Sequence, residues 1–350
     1  MLSLTKGRCI GKIVGGEHDG KYIRVYEQGK NYKCCNWCTE KCSKNKTKKC
    51  CKDCEVPLKG GCMSCLMSGG RNEKEKDRIE INLRSGTVEP VPNAEKDDDG
   101  SYIADTTFVA GPQGVGKSHF ISKYIANDKI HYPKKDVIIF SNFEEDKPLD
   151  KFKPMRVKID DKLIEKPIKK EECKNSITVF DDIDTMAPKL AQACRMLRDD
   201  FLQCGRKENI KVLATSHQLM NYMKTRDLLN SCNKIVIFPR GTSPYHTTRL
   251  LKEYVGLDKN SIKYILKLPS RWIMIDKTYP SYALHENGAV LLNDLPKILS
   301  DKKDEPKYEK YGYPQSMLLK AKKSKGRGKN KKKTKIESDS ESETNSDDDY

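Results

Sequence analysis

The sequence predicts an α/β fold in which a mostly parallel sheet is flanked by helices. Three short apolar runs, at residues 108–110, 137–140 and 177–180, are typical of buried parallel strands, and segments with helical periodicity separate them. A glycine-rich loop follows the first run, and two consecutive carboxylates follow the third. Both features therefore lie at the ends of predicted strands.

The loop after the first strand fits the pattern G-x-x-x-x-G-K-[ST]. It lies between a predicted strand and a predicted helix, which is the context that a phosphate-binding loop (P-loop) requires. Its glycines let successive backbone N–H groups converge on phosphate oxygens at the start of the helix. We expect Lys117 to contact the β- and γ-phosphates of ATP and to be catalytic, and Ser118 to ligate Mg²⁺. The predicted nucleotide-binding residues are Gly111, Pro112, Gln113, Gly114, Val115, Gly116, Lys117 and Ser118. A glycine-rich turn that matches by chance is the alternative.

The carboxylates after the third strand, Asp181 and Asp182, form a Walker B pattern. Asp181 is predicted to hold Mg²⁺, and Asp182 is predicted to be the base that polarises the attacking water. Motors of this kind usually carry Glu at the second position, and Asp is one methylene shorter. A helix-capping pair is the alternative interpretation. At least one predicted strand separates the two motifs along the chain, which favours the ring-motor branch over nucleotide kinases and small GTPases.

A further strand, residues 212–215, ends in Ser216, His217 and Gln218, which are candidates to sense the γ-phosphate. For His217, a capping or core role is an equal alternative. Arg206 and Arg240 are candidate arginine fingers, and Arg206 is favoured because its loop tends to lie at subunit edges in ring ATPases. The alternative for each arginine is an exposed side chain that contacts DNA or solvent.

Nine cysteines within residues 34–65 predict a zinc-binding module. Three C-x-x-C pairs supply the thiolates expected of tetrahedral Zn²⁺ sites, and three more cysteines leave ligands for a second site. The candidate ligands are Cys35, Cys38, Cys51, Cys54, Cys62 and Cys65, together with Cys34, Cys42 and Cys50. The spacing does not fix which cysteines share a metal. A disulfide knot or an unstructured Cys/Lys-rich tract is the alternative.

Composition shifts along the chain predict five segments. They are a β-hairpin segment (1–30), the zinc module (31–66), a linker (67–101) with one strand at residues 79–83, the ATPase domain (102–300) and a disordered tail, first basic and then acidic (301–350).

The balance of 67 Lys and Arg against 50 Asp and Glu gives a net charge of +17, which favours nucleic acid as a partner over a merely soluble basic protein. Neither a membrane-spanning run nor a signal-peptide core is visible, so we expect an intracellular protein that does not insert into membranes.

Within residues 104–292, the order of motifs resembles the poxvirus-type virion DNA-packaging ATPases of large nucleocytoplasmic DNA viruses, which are members of the FtsK/HerA superfamily. The resemblance is carried by the P-loop, by VFDDID, by the stretch from DDFLQCGRKENIKVLATSHQ to NKIVIFPRG, and by LLKEYVGL and LPSRWIMIDKTYPSYAL. This sequence departs from the family in having Asp182 where Glu is usual, and in having Ser216 and His217 before Gln218 at the tip of the sensing strand.

The resemblance implies a RecA-like core of the additional-strand type, a ring-shaped homo-oligomer, and ATP hydrolysis that moves double-stranded DNA into a capsid. It further implies a capsid or portal partner and a location in the virus factory of the host cytoplasm or in the virion, with the nucleus as the alternative. Two other functions stay open. One is a different DNA-dependent ATPase, such as a helicase or repair motor, and the other is a zinc-bearing adaptor that binds nucleotide as a switch with little turnover.

Overall fold

Two β-sheets and their flanking helices form the part of the chain that the computed structural model describes, namely residues 1–5, 7–27, 78–97 and 100–301. The predictions for the nine cysteines of the 31–66 module and for residues 302–350 fall outside this part.

The larger sheet has ten strands, in the order β4-β14-β13-β12-β11-β6-β10-β9-β7-β8. The six strands from β11 to β8 run parallel, and the other four are antiparallel. The strands of both sheets are β1 (Leu2–Ser3), β2 (Arg8–Val14), β3 (Tyr22–Val25), β4 (Glu80–Asn82), β5 (Thr87–Pro90), β6 (Thr106–Ala110), β7 (Asp136–Ser141), β8 (Met155–Val157), β9 (Ser176–Asp181), β10 (Lys211–Ser216), β11 (Lys234–Ile237), β12 (Ile273–Asp276), β13 (Tyr282–His285) and β14 (Gly288–Leu291). The prediction of an α/β fold with a mostly parallel central sheet is therefore confirmed.

Helices connect the parallel strands and cover both faces of the sheet. They are α1 (Lys117–His131), α2 (Lys147–Asp150), α3 (Asp161–Glu165), α4 (Pro188–Cys204), α5 (Tyr222–Ser231), α6 (Pro244–Glu253), α7 (Lys259–Lys267) and α8 (Leu295–Asp301), with short 3₁₀ helices at Lys170–Cys173, Ile183–Thr185 and Gly205–Glu208.

Successive residues of the central strands belong to two separate cores. Phe108 and Ala110 of β6 pack in one core, which includes residues of α4, whereas Val109 between them packs in the other core, which includes residues of α1. This alternation is a consequence of the strand repeat of two residues. It explains why the central strands are apolar throughout instead of alternating with polar residues.

An aromatic cluster fixes the position of strands β7 and β9 beneath helix α4. The rings of Phe140 and Phe180 stack with their centroids 4.7 Å apart, and Phe201 of α4 meets both rings edge-on. All three side chains are buried. Because Phe180 precedes Asp181, this packing also positions the end of β9.

The smaller, four-stranded sheet (β1-β3-β2-β5) is antiparallel and packs on the α1 side of the large sheet. A Cβ atom at Gly11 of β2 would lie 3.0 Å from a methyl of Leu284 in β13, so the two sheets are in close contact there. The range 67–101, for which the sequence predicts a linker, contributes β4 to the large sheet and β5 to the small one. Strand β4 lies within the strand predicted at residues 79–83, whereas β5 is short and partly polar and lacks the apolar run by which a strand is recognised.

No helix among the described residues combines the length and the apolar character needed to cross a membrane.

Candidate functional site

Three adjacent parallel strands bring the two sequence motifs together at one edge of the sheet. Strand β10 lies between β6, which leads into the P-loop, and β9, which ends at Asp181. In the register, Ser216 at the end of β10 is opposite Ala110 at the end of β6. The P-loop, the two carboxylates and the sensor candidates therefore share the carboxyl edge of the sheet, where ligands bind in open α/β folds.

The backbone of the loop depends on glycine at two positions. Gly114 and Gly116 have φ angles of 79° and 108°, in the left-handed region that side chains disfavour. Gly116 is the N-cap of α1, and no side chain in the described part of the chain caps the first amides of this helix. These amides are therefore suited to an anionic ligand.

The segment after β11 packs directly against the loop. A Cβ atom at Gly241 would lie 2.6 Å from Val115 Cγ1, and a Cβ atom at Gly111 would lie 3.0 Å from the ring of Phe238. The Gly111 amide donates a hydrogen bond to the carbonyl of Ser216, with an N···O distance of 3.0 Å. Contacts from β10 and from the β11 segment thus restrain the loop on two sides.

The Lys117 ammonium is buried and lies among three groups. Its Nζ atom is 3.0 Å from the Gly111 carbonyl oxygen, 3.2 Å from His217 Nδ1 and 3.6 Å from Asp182 Oδ2. Only 8% of the side chain is exposed. The fold therefore brings the P-loop lysine, the predicted base and one sensor candidate within contact distance of one another.

The Thr215 hydroxyl joins the two carboxylates. Its Oγ1 atom accepts the Asp182 amide at 2.8 Å and lies 2.9 Å from Asp181 Oδ1 and 3.0 Å from Asp182 Oδ1. Asp182 has a φ angle of 45°, so the chain turns sharply after β9 and both carboxylates face β10. Asp is among the residues that tolerate this conformation, and outliers of this kind are concentrated at functional sites.

Burial raises the pKa of the Asp181 carboxyl above its usual range, and the negative charge of Asp182 raises this pKa further. A divalent cation would relieve that repulsion, and carboxylate and hydroxyl oxygens are the ligands that Mg²⁺ prefers. Asp181 and the hydroxyl of Ser118 therefore have the oxygen donors that the predicted cation requires. Within the described ranges, no cluster of three or more His, Cys, Asp or Glu side chains is arranged to hold a metal unaided. Phosphate oxygens or water would have to complete the coordination shell.

The three sensor candidates have different surroundings. Ser216 is buried, and its Oγ atom accepts the Gln218 amide at 3.1 Å. The Gln218 side chain is exposed and accepts a hydrogen bond from Asn221 Nδ2 at 3.0 Å. Of the three, His217 is the one in contact with both Lys117 and Asp182.

The two finger candidates lie at opposite edges of the sheet. Arg240 is exposed in the segment that follows β11, at the same edge as the P-loop. Arg206 is exposed in the 3₁₀ helix that precedes β10, at the amino edge. Within a single chain, the structure therefore does not bring Arg206 to the other predicted site residues.

Arg271 and Thr215 also lie at the carboxyl edge of the sheet, although the sequence predicts no function for either residue. The Nη2 atom of Arg271 lies 3.5 Å from the position of a Cβ atom built on Gly116. The Arg271 amide donates to Glu286 Oε2 at 2.7 Å, which fixes the backbone at the start of β12. Because β12 is antiparallel to β11, its start lies at the carboxyl edge of β11. The strand-like alternation of residues 271–292 gives no indication of that reversal.

The cysteines of the described ranges are free thiols. They are Cys9, Cys173, Cys194, Cys204 and Cys232, and all but Cys204 are buried. Burial raises the pKa of the Cys232 thiol to about 12. The four buried thiols behave as small apolar core residues, and none of the five belongs to the predicted zinc module.

The fold and the site define an α/β protein whose G-x-x-x-x-G-K-S loop follows a central parallel strand. The chain is 34% identical to the uncharacterized protein V3 of Sputnik virophage over 223 residues, which is 63% of this chain and 87% of V3. It therefore belongs to the same family as V3. No protein-family model matches the chain.

Two solved structures are more distantly similar. The genome packaging NTPase B204 from Sulfolobus turreted icosahedral virus 2, in complex with AMPPCP, is 14% identical with a TM-score of 0.36, and the match covers 50% of this chain and 93% of B204. The pCW3 conjugation coupling protein TcpA, in its monomer form with ATPγS, is 9% identical with a TM-score of 0.38, and the match covers 67% of this chain and 73% of TcpA. TM-scores this low make neither structure a guide to individual residues of the site.

Proposed function

We propose that this protein is a P-loop ATPase that uses ATP hydrolysis to move double-stranded DNA. The observation that carries the proposal is the contact between Lys117 of the glycine-rich loop and Asp182 at the end of β9, whose Nζ and Oδ2 atoms are 3.6 Å apart. Lys117 and Asp182 are 65 positions apart in the sequence. Their contact lies where a nucleoside triphosphate and the attacking water would bind in the proposed enzyme.

The residues of this edge have complementary roles in the proposed reaction. The amides of residues 111–118 bind the phosphates, and Lys117 balances the charge of the β- and γ-phosphates. Mg²⁺, held by Ser118 and Asp181, would neutralise charge on the phosphate oxygens. Arg271, beside Gly116, supplies a further positive charge to the bound nucleotide. Asp182 is the residue through which the attacking water is activated.

The DNA-translocating part of the proposal rests on net charge and on the family resemblance. A net charge of +17 suits a polyanionic partner, and a pump must grip the phosphate backbone of any sequence. We propose that the substrate is viral DNA, that the working form is a ring with Arg206 as the finger between neighbours, and that a capsid or portal protein is the docking partner. We further propose that the 31–66 module holds Zn²⁺, and that the protein acts in the virus factory or virion.

Steady-state ATP hydrolysis with and without linear double-stranded DNA tests the proposed ATPase. We expect DNA to raise turnover, and we expect Lys117→Ala and Asp182→Asn to abolish it. The matched controls are Lys134→Ala and Asp136→Asn, since both side chains are exposed at the amino edge of the sheet, near the start of β7. Tight ATP binding without turnover, with DNA present, would contradict the motor and favour the nucleotide-switched adaptor.

A second assay separates translocation from strand separation. A translocase displaces a third strand from a DNA triplex in an ATP-dependent manner while it leaves the underlying duplex intact. Separation of the duplex strands would instead favour the helicase alternative.

A further inference from the structure

Three neighbouring groups contact the carboxylate of Asp182. Its Oδ2 atom faces His217 Nε2 at 2.9 Å and Lys117 Nζ at 3.6 Å, and its Oδ1 atom faces the Thr215 hydroxyl at 3.0 Å. Both carboxylate oxygens are therefore already in contact with groups of the protein. Only 11% of the side chain is exposed, so a water molecule has little access to it.

The His217 side chain is more accessible than that of Asp182. Its side chain is 36% exposed, and its ring lies between Asp182 and Lys117. A lysine ammonium can only donate a hydrogen bond, so Nδ1, 3.2 Å from Lys117 Nζ, must be the accepting nitrogen. The proton of the neutral ring is then on Nε2 and is donated to Asp182 Oδ2. The carboxylate thus orients the imidazole and fixes its tautomer, as in other pairs of a base with its orienting carboxylate.

We infer that His217 is the general base of ATP hydrolysis and that Asp182 is its orienting carboxylate. This inference rests on the proposed ATPase function and deepens it. The imidazole extends the reach of the short Asp182 side chain, which is the position where motors of this kind usually carry Glu. His217 and Asp182 together would thereby replace the single Glu carboxylate that is usual in those motors.

When ATP binds, its phosphates attract the Lys117 ammonium away from Nδ1 and leave this nitrogen open to water. The water oxygen forms a bond to the γ-phosphorus while the bond from that phosphorus to the bridging oxygen breaks, and the electron pair leaves with ADP. The proton of the water passes to Nδ1. Asp182 stabilises the resulting imidazolium, which then releases its proton to solvent through the exposed face of the ring.

Two variants of the full chain distinguish a base from a structural hydrogen bond. His217→Gln can still donate to Asp182 from the Nε2 position, yet it has no acceptor at the Nδ1 position. His217→Gly removes the ring and leaves room for free imidazole. We expect kcat to fall about 100-fold in both variants, with ATP affinity within about threefold of wild type, because general-base catalysis contributes about 10²–10⁴. We expect added imidazole to restore turnover in His217→Gly. His18→Ala, in the turn between β2 and β3, is the matched control and should keep the wild-type kcat.

A kcat within about threefold of wild type in His217→Gln would overturn the inference, because a hydrogen bond to Asp182 alone would then be sufficient. A loss in His217→Gly that imidazole does not reverse would also overturn it. Failure of the proposed function gives a different result, since the wild-type protein would then show no turnover that depends on Lys117.

Discussion

The hydroxyl oxygen of Thr215 lies 2.9 Å from Oδ1 of Asp181, although the two residues are 34 positions apart and belong to different strands. Thr215 precedes the last residue of β10, and Asp181 ends β9. The same oxygen accepts the amide of Asp182. The Thr215 side chain of β10 thus positions both carboxylates at the end of β9.

The first prediction concerns this hydroxyl. Thr215→Val keeps the shape of the side chain but leaves the Asp182 amide without its acceptor and removes the donor to Asp181 Oδ1. We expect kcat for ATP to fall at least about tenfold, and the free energy of unfolding to fall by about 1–3 kcal/mol, the usual effect of an unpaired buried polar group. Thr215→Ser, which keeps the hydroxyl, should retain most of the activity. Steady-state kinetics and urea unfolding measure the two effects, and a valine variant with kcat near wild type would show that the hydroxyl does not position the carboxylates.

The second prediction concerns Arg271. Its guanidinium stands beside Gly116 at the start of α1, where we propose that it contacts bound nucleotide. We expect Arg271→Ala to raise the Kd for a fluorescent ATP analogue about tenfold, since a charge-assisted hydrogen bond contributes about 1.5–3 kcal/mol. Arg271→Lys, which keeps the charge but not the planar fork, should have an intermediate affinity.

Arg249→Ala is the control for that measurement. Arg249 is exposed on α6 and forms a salt bridge with Glu253, one helical turn away. Its replacement should leave the Kd unchanged. Equal affinities for Arg271→Ala and wild type would remove Arg271 from the proposed site.

The six parallel strands and the P-loop are predictable from the sequence because each is marked by residues that are adjacent in the chain. Buried runs such as residues 177–180 are continuous in sequence, and the P-loop pattern is complete within eight residues. The range for which a linker was predicted contributes β4, at the one strand expected there, and β5, which lacks such a signal. Their pairing depends on distant partners, since β4 pairs with β14 and β5 with β2.

The parts of the site that the sequence does not predict depend on strand order and register. Thr215 reaches Asp181 because β10 lies beside β9, and Arg271 reaches Gly116 because β12 reverses direction. The place of His217 at the end of a predicted strand does make it a sensor candidate. That place does not show that the ring lies between Lys117 and Asp182. Such contacts are set by tertiary structure, which no local pattern reports.

The third prediction concerns a buried ion pair at the amino edge of the sheet. Lys234 Nζ of β11 lies 2.8 Å from Asp105 Oδ1, and both side chains are fully buried. Burial by itself would raise the pKa of Asp105, but the positive charges of Lys234 and Lys211 outweigh it and hold this pKa below its usual value. Lys234→Met would leave the carboxylate buried without its nearest cation, so we expect the free energy of unfolding to fall by about 3–5 kcal/mol.

Urea unfolding of two further variants shows whether the effect belongs to the pair. Asp105→Asn with Lys234→Met removes both charges and should be more stable than Lys234→Met alone. Lys134→Met, at an exposed position near the start of β7, should change stability by less than about 0.5 kcal/mol. A Lys234→Met variant as stable as wild type would show that the ion pair contributes nothing to the fold.

The last prediction concerns the pH dependence of stability and depends on His285 of β13. This side chain is buried, its Nε2 atom has no hydrogen-bond partner among the described residues, and Nδ1 accepts the Asn287 amide at 3.3 Å. Burial lowers the pKa of the imidazole from 6.5 to about 4. The unfolded chain therefore binds a proton between these two values whereas the folded chain does not, so stability falls as the pH falls through this range.

A lowered pKa of this size reduces the free energy of unfolding by about 2.5 kcal/mol between pH 7 and pH 4.5. We expect His285→Asn, which keeps an acceptor near the Nδ1 position but does not titrate, to lose that much less than wild type over the same interval. The comparison of the two slopes cancels the contribution of other groups. Urea unfolding at half-unit steps of pH measures both slopes, and parallel slopes would show that His285 takes up its proton equally readily in the folded and unfolded chains.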